Sequence, residues 1–167
     1  FPERNFIGVD IKGSRMWRGA RTALNDNLHN VFFLRTRIEM IGSFFGRNEV
    51  DEIWLTFPDP QLKKKRKRLT SARFLKTYAT FLKPNGRVHL KTDNQVLYQY
   101  TLDLVERNHM KLQIHTNDLY HSGMMNEILD IKTFYEQQFL DQGMKINYLC
   151  FELPHDKLIE EPPEEKT

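Results

Sequence analysis

The sequence has few of the features that point to secretion, redox chemistry or metal binding. It contains one cysteine, Cys150, so it has no internal disulfide and no cysteine-based metal cage, which fits a reducing cytoplasm. Because Cys150 lies in the apolar stretch "INYLCFEL", we interpret it as a small buried side chain rather than a nucleophile. No signal peptide is visible, and no apolar run approaches the roughly 20 residues that span a bilayer. We therefore expect a cytoplasmic protein without a membrane segment or an obligatory protein partner.

The six histidines have no metal-ligand spacing, so we predict no metal site. A Gly-rich nucleotide loop is also absent, because no G-x-G-x-x-G pattern occurs in the chain. In doubly wound folds this loop follows the first strand, whereas this sequence opens directly on a strand-like stretch. We therefore expect the chain to begin at what would be the second strand of such a fold.

The elements that are present alternate between strands and helices, which is typical of βα units and a mostly parallel sheet. The predicted strands cover residues 5–11, 30–35, 51–57, 86–93, 111–118 and 145–153. Helical spacing covers residues 14–28, 39–46, 94–108 and 133–142, and a further helix runs from Ser71 to a turn at 84–86. We assign residues 1–154 to one α/β domain, and expect residues 155–167 to form an acidic, poorly ordered tail.

Positive charge is concentrated in one place. Residues 63–68 are six consecutive cations, whereas acidic residues outnumber basic ones in the rest of the chain. A solvated surface or a nuclear import signal would explain such a run in a tail or a linker. Here the run lies between a predicted core strand and the next helix, so we predict a loop that grips a phosphate backbone. The predicted phosphate contacts are Lys64, Lys65, Arg66, Lys67 and Arg68.

Three aspartates lie at the carboxyl ends of predicted strands, the edge at which open α/β sheets bind ligands. Asp59 stands between two prolines, which bias Phe57 and Asp59 toward an extended conformation and end the strand. Asp10 ends the first strand, where the second strand of a dinucleotide fold carries an acid for a ribose, and Asp93 ends the fourth. The alternatives are a turn residue for Asp59 and helix N-caps for Asp10 and Asp93. Three acids at three strand ends favour a shared crevice.

Four motifs occur in an order and approximate spacing that resemble a known family. They are "NFIGVDI", "FPDP" with its Lys/Arg run, "KTD" after a strand, and "TFYE" near the end. Over nearly all of the chain except the acidic tail, the sequence resembles the tRNA (guanine-N7-)-methyltransferases of the TrmB type. This resemblance implies a class I methyltransferase (Rossmann-like) sheet of seven strands, the last antiparallel. It also implies transfer of a methyl group from S-adenosylmethionine (SAM) to N7 of a guanosine in tRNA.

The resemblance implies roles for individual residues. Asp10 matches a SAM contact, and Asp59 matches a residue assigned to both SAM binding and catalysis. Lys63 and Asp93 match substrate contacts, and the stretch Thr133 to Glu136 matches a tRNA contact. From spacing alone, this last stretch fits a helix capping box equally well.

The sequence also departs from the family pattern. The Gly-rich SAM loop of the family would lie before Phe1. Arg37 aligns with a cofactor-binding position that is commonly acidic, so we expect different recognition of the SAM adenine there. Gln61 stands where the family often has a tryptophan.

A non-catalytic α/β RNA-binding domain is the main alternative function. Such a domain would use the cationic run as an anchor, but it would not need Asp10 and Asp59 at strand ends. A Rossmann-type dehydrogenase explains less, because it leaves the cationic run without a purpose and offers no catalytic residue set.

Overall fold

A computed structural model describes residues 1–155 and 157–163 of the chain. Residues 156 and 164–167, which belong to the predicted acidic tail, lie outside the described residues. The chain divides into two compact units, Phe1–Phe45 and Gly46–Thr167. Strands and helices alternate along both units in the predicted order, which confirms the α/β class.

The first unit contains a βαβ motif. Strands β1 (Phe6–Asp10) and β2 (Val31–Arg35) are parallel neighbours, and helix α1 (Gly13–Asn25) connects them. A short 3₁₀ helix, Ile38–Ser43, follows β2. Because Asp10 is the register partner of Arg35, the segments that follow both strands leave the sheet at the same edge.

The second unit is built on a four-stranded mixed sheet with the order β3 (Val50–Thr56), β4 (Leu82–Thr92), β6 (Asn147–Glu152) and β5 (Leu112–Thr116). Strands β3 and β4 are parallel, whereas β6 is antiparallel to both β4 and β5. The antiparallel last strand confirms the prediction, and the described residues form six of the seven strands that the resemblance implies. The elements in chain order are β3 (Val50–Thr56), α2 (Ala72–Ala79), β4 (Leu82–Thr92), α3 (Gln95–Arg107), β5 (Leu112–Thr116), α4 (Phe134–Asp141) and β6 (Asn147–Glu152).

Both faces of this sheet carry buried side chains. Val88 and Leu90 of β4 are fully buried on one face, and α2 and α3 both contact this strand. Successive side chains of a strand point to opposite faces, so His89 and Lys91 lie on the other face. There a second apolar cluster contains Leu119, Leu129, Ile146, Tyr148 and Cys150. The burial of Cys150 confirms its interpretation as a structural side chain.

The segment 157–163 differs from the poorly ordered tail expected from its composition. Ile159 is only 3% exposed. The end of α3 holds the neighbouring residue, because the Glu160 amide donates to Asn108 Oδ1 at 2.8 Å and Arg107 pairs with the Glu160 carboxylate at 2.7 Å. One apolar anchor and specific polar contacts therefore outweigh the acidic, proline-rich composition of this segment.

Candidate active site

The loop that follows β3 carries the motif with Asp59 and has an unusual backbone. Phe57 and Gln61, on either side of the proline-flanked aspartate, have φ angles of +50° and +46°. The prediction of an extended Phe57 is therefore wrong. Its amide donates to the Lys91 carbonyl of β4 at 2.8 Å and its ring packs against Phe139, so tertiary contacts override the local preference. Left-handed conformations at residues other than glycine are strained and cluster at functional sites.

Asp59 projects its carboxylate at the carboxyl edge of β3. The residue is exposed, and its Oδ1 atom accepts a hydrogen bond from the Gln61 amide at 2.9 Å. This contact closes a local turn of the kind that aspartate often forms with the backbone two residues later. An open hollow beside it is lined by Asp59, Pro60, Gln61, Leu62, Lys63 and Lys64. The structure thus places the predicted catalytic residue and the start of the cationic run around one hollow.

Lys63–Lys67 form what we call the cationic arm. All five side chains are exposed, and none of them has an ion-pair partner within residues 1–155 and 157–163. Backbone hydrogen bonds fold the arm into successive turns, from the Lys64 amide to the Gln61 carbonyl and from the Lys67 amide to the Lys64 carbonyl. The arm therefore presents a dense, uncompensated positive charge on an ordered loop.

Arg68 does not belong to this exposed set, although the sequence predicts it as a phosphate contact. Its side chain is only 2% exposed. The Nε atom donates to the Pro60 carbonyl at 3.0 Å, and the guanidinium lies 4.4 Å from the centre of the Tyr100 ring. Burial lowers the pKa of Arg68. In this conformation the Arg68 guanidinium makes its contacts within the protein. The prediction that Arg68 contacts a tRNA phosphate is therefore corrected.

Asp93 follows β4, the parallel neighbour of β3, so Asp59 and Asp93 leave the same edge of the sheet. The cap of α3 is Asn94, whose side chain accepts from the Leu97 amide at 2.9 Å. The capping alternative for Asp93 is therefore wrong. Among the described residues, no group donates a hydrogen bond to its carboxylate. Asp93 thus keeps its acceptor capacity for a ligand.

In the first unit, Asp10 ends β1 and Arg37 follows the neighbouring strand β2 at the same edge. The Asp10 carboxylate accepts from the Lys12 amide at 2.9 Å and from Arg15 at 3.4 Å. The residue in the N-cap position of α1 is Lys12, so Asp10 is not the cap. Arg37 is exposed, and its Nε lies 3.8 Å from the Glu39 carboxylate. A crevice shared by Asp10 with Asp59 and Asp93 stays a prediction.

Thr133 and Glu136 form the capping box of α4. Thr133 accepts from the Glu136 amide at 3.1 Å, and the Glu136 carboxylate accepts from the Thr133 amide at 3.2 Å. Glu136 is completely buried, and its carboxylate also forms an ion pair with Lys91 at 2.6 Å and accepts from the Tyr120 hydroxyl at 2.8 Å. The predicted tRNA contact through Glu136 is therefore corrected, because internal donors already surround this carboxylate.

Sequence reasoning missed Lys91, the partner of Glu136. Its side chain is 3% exposed, and its Nζ atom donates to the Leu129 carbonyl at 3.0 Å in addition to the ion pair. Lys91 therefore holds both α4 and the segment before it onto the sheet, two residues before Asp93. The signal in the sequence was a lysine inside a predicted strand, directly after Leu90.

A buried aromatic and polar group lies on the same face of the sheet. The His89 ring stacks on Trp54 with ring centres 3.8 Å apart, and its Nδ1 atom bonds to the Tyr148 hydroxyl at 2.9 Å. Burial lowers the pKa of His89 to about 4. Burial also raises the pKa of the Cys150 thiol to about 11. Both groups are therefore neutral at physiological pH, and Cys150 is a poor nucleophile.

Two features of residues 1–155 and 157–163 bear on cofactors and membranes. No cluster of three or more His, Cys, Asp or Glu side chains is arranged to hold a metal ion. Over the same residues, no helix has both the length and the apolar character needed to cross a membrane.

Comparison with solved structures defines the class of the fold. The chain aligns over 89% of its length with 69% of a SAM-dependent methyltransferase from Aquifex aeolicus, with a TM-score of 0.58 and 10% identity. At this identity the likeness shows the fold alone, and it confirms the predicted class I methyltransferase architecture.

Comparison with sequences identifies the family. A family model described as "Putative methyltransferase" matches residues 1–149. The chain is 54% identical over 162 residues to the tRNA (guanine-N(7)-)-methyltransferase of Bacteroides thetaiotaomicron, an alignment that covers 97% of this chain and 64% of that protein. It is 55% identical over 154 residues to the protein of the same name from Porphyromonas gingivalis, covering 92% and 63%. The chain therefore belongs to the tRNA (guanine-N7-)-methyltransferase family, and it spans slightly less than two thirds of these relatives.

Proposed function

We propose that the protein transfers a methyl group from SAM to N7 of a guanosine in tRNA, in the cytoplasm. The observation that carries this proposal is the exposed carboxylate of Asp59 at the carboxyl edge of β3, with the cationic arm directly after it. This pairing suits a polyanion that presents a base on which positive charge develops. The names of the relatives from Bacteroides and Porphyromonas support the same substrate and the same reaction.

The chemistry places modest demands on the protein. Guanine N7 has a lone pair and no proton, so its methylation needs no general base. SAM, when bound, supplies a methyl group on a positively charged sulfur. The protein must hold N7 in line with that methyl group and stabilise the positive charge that develops on the guanine ring. Asp59 suits the second task, and its carboxylate can also accept hydrogen bonds from guanine N1–H and the exocyclic amine.

The first unit has side chains of the type that a SAM site needs. The Asp10 carboxylate ends β1 and already accepts from the Lys12 amide and from Arg15. A carboxylate has about four acceptor sites, so Asp10 retains capacity for the hydroxyls of a ribose. The exposed Arg37 lies at the same edge, and we assign it to the adenine side of SAM. We also assign Asp59 to SAM binding.

The second unit supplies the contacts to tRNA in this proposal. Lys63 is the first cation after Asp59 in the chain and lines the same hollow, so we assign it to the nucleotide that reacts, together with Asp93. The other four cations of the arm bind phosphates of the tRNA backbone. At the start of α4, Thr133 contributes through its hydroxyl, whereas Glu136 acts only inside the protein.

The alternative of a non-catalytic RNA-binding domain is less well supported. It explains the arm, but it gives no reason for Asp59 and Asp93 to leave the same edge with acceptor capacity. The names of the relatives also favour an enzyme.

Methyl transfer by the full-length protein tests the proposal. Labelled SAM and bulk tRNA are the substrates, and incorporation is compared for the wild type and Asp59→Asn. We expect Asp59→Asn to lower kcat by about 100-fold or more, in the range seen when one group that stabilises a transition state is removed. Because Asp59 is exposed, the substitution should change the free energy of unfolding of the protein by less than about 0.5 kcal/mol.

Asp51→Asn is the matched control, since Asp51 is an exposed aspartate near the opposite end of β3. This variant should retain wild-type methyl transfer. An Asp59→Asn protein that methylates tRNA as fast as the wild type would refute the catalytic role of Asp59.

A further inference from the structure

A series of contacts joins the root of the cationic arm to the C-terminal segment. Arg68 donates from Nε to the Pro60 carbonyl at 3.0 Å and lies over the ring of Tyr100 at 4.4 Å. The Tyr100 hydroxyl donates to the Glu161 carboxylate, whose other oxygen accepts from the Ala72 amide at 3.0 Å. The contacts therefore run from the loop after β3, through α3, to the segment 157–163 and the first turn of α2.

These groups are buried together, and each compensates another. Arg68 is 2% exposed and Tyr100 is 6% exposed. The Glu161 carboxylate offsets the positive charge of Arg68, while burial and the bond to Glu161 raise the pKa of Tyr100. A guanidinium combines a flat surface for the aromatic ring with an N–H donor held in a fixed direction for the carbonyl, whereas a lysine ammonium has no flat surface and its donors rotate. The site therefore specifically requires arginine.

The carbonyl that Arg68 holds belongs to the residue directly after Asp59. Phe57 and Gln61 in this loop have positive φ angles, and such strained conformations persist only where surrounding contacts over-determine them. On one side of the loop the Phe57 amide donates a hydrogen bond to β4, and on the other side Arg68 donates a hydrogen bond to the Pro60 carbonyl. Two anchors thus fix the backbone on which the Asp59 carboxylate depends.

We propose that Arg68, Tyr100 and Glu161 form a positioning brace that holds the loop 57–61 in the conformation in which Asp59 acts. Arg68 in this role is a positioning residue rather than a phosphate contact, and the C-terminal segment becomes part of the support of the site. The effect of the brace on turnover rests on the proposed function, whereas its effect on the loop does not.

The first test compares two neighbouring cations in the full-length protein. Arg68→Lys keeps the positive charge, so the salt dependence of tRNA binding should stay unchanged while kcat falls at least tenfold. Lys67→Met removes an exposed cation, and the slope of log affinity against log salt should fall by about 0.7 to 0.9 for one lost phosphate contact. Arg107→Met is the control, because it breaks an exposed ion pair of the same C-terminal segment outside the brace. It should change neither quantity.

The second test measures the hydrogen-exchange rates of backbone amides in and next to the loop. Arg68→Lys should speed exchange at the amides of Gln61 and Lys64, which lie in the loop and at its junction with the arm, and leave the amides of β4 unchanged. Tyr100→Phe keeps the ring under Arg68 but loses the bond to Glu161, so it should speed exchange at the same two amides to a smaller extent. This milder variant keeps the test decisive if Arg68→Lys fails to fold.

The outcomes separate the brace from the proposed function. If the wild type does not methylate tRNA, the proposed function fails, and exchange in the loop still decides whether the brace exists. Unchanged loop exchange in both Arg68→Lys and Tyr100→Phe would overturn the brace. A fall in the salt slope for Arg68→Lys, with kcat intact, would overturn it as well and restore Arg68 as a phosphate contact.

Discussion

The cationic arm and the buried cations beside it use the same residue types in opposite ways. Lys63–Lys67 are exposed and have no anionic partner in the part of the chain that the structure describes. Arg68 and Lys91 are 2% and 3% exposed, and each has its partners inside the protein. Arg68 contacts the Pro60 carbonyl and the Tyr100 ring, and Lys91 contacts the Leu129 carbonyl and the Glu136 carboxylate. The difference indicates that charge alone does not mark a ligand site. An uncompensated exposed charge points to a ligand, whereas a compensated buried charge fixes the position of a loop.

The largest effect should come from breaking the buried pair of Lys91 and Glu136. Lys91→Met leaves the Glu136 carboxylate buried without its cation, which should lower the free energy of unfolding by about 3 to 5 kcal/mol. Lys83 and Asp51 form an exposed pair with the same 2.6 Å separation. Lys83→Met should therefore cost less than about 1 kcal/mol. Urea denaturation measures both changes. Equal losses in the free energy of unfolding for Lys91→Met and Lys83→Met would contradict the different roles of buried and exposed cations.

The next effect concerns His89, which lies on the same face of the sheet as Lys91. Its pKa is lowered from 6.5 to about 4 by burial, so the unfolded chain binds a proton that the folded chain rejects. Above pH 6.5 His89 is neutral in both states, so the free energy of unfolding has its full value. As the pH falls from 6.5 toward 4, protonation of His89 in the unfolded chain lowers the free energy of unfolding by about 3 kcal/mol.

Urea denaturation between pH 7.5 and 4.5 measures this loss, and His89→Phe should remove it from the pH profile. His29→Gln, at an exposed position, should keep the wild-type profile. An imidazole of His89 that titrates near 6.5 in NMR spectra of the folded protein would contradict the predicted shift.

The sequence predicts most elements of this fold because their signals are local. The spacing of apolar residues gives β1, β2, β3, β5 and α3 within two residues at each end. The errors at Phe57, Arg68 and Glu136 have a common cause. Each residue takes its conformation or burial from partners far along the chain, namely the Lys91 carbonyl and Phe139, the Tyr100 ring, and the Lys91 ammonium. No local pattern around these residues contains their partners.

The candidate site shows the same limit. The proline-flanked aspartate and the cationic run are visible in the sequence because they are contiguous. The capping box at Thr133 was equally visible, and the structure confirms it. The pattern does not reveal that the Glu136 carboxylate also forms an ion pair with Lys91. In the sequence, Lys91 is only one of the polar residues of "KTD", and its partner becomes clear only once its position in the strand is known.

A smaller effect on stability, but a clear effect on binding, is expected for the exposed arm. Replacing Lys64, Lys65, Arg66 and Lys67 by glutamine should flatten the slope of log affinity for tRNA against log salt by up to about 3. The free energy of unfolding should change by less than about 0.5 kcal/mol, because the four side chains have no ion-pair partner among the residues that the structure describes. Filter binding at several salt concentrations measures the slope, and an unchanged slope would remove the arm from the tRNA interface.

The proposed function depends on which atom of the tRNA receives the methyl group. Full-length wild-type protein is incubated with SAM and tRNA, and the product is mapped chemically for N7-methylguanosine at single-nucleotide resolution. We predict a methyl group on guanosine N7 that is formed by the wild type and by Asp51→Asn and is lost with Asp59→Asn. A methyl group on another atom, or N7-methylguanosine formed equally by Asp59→Asn, would contradict this prediction.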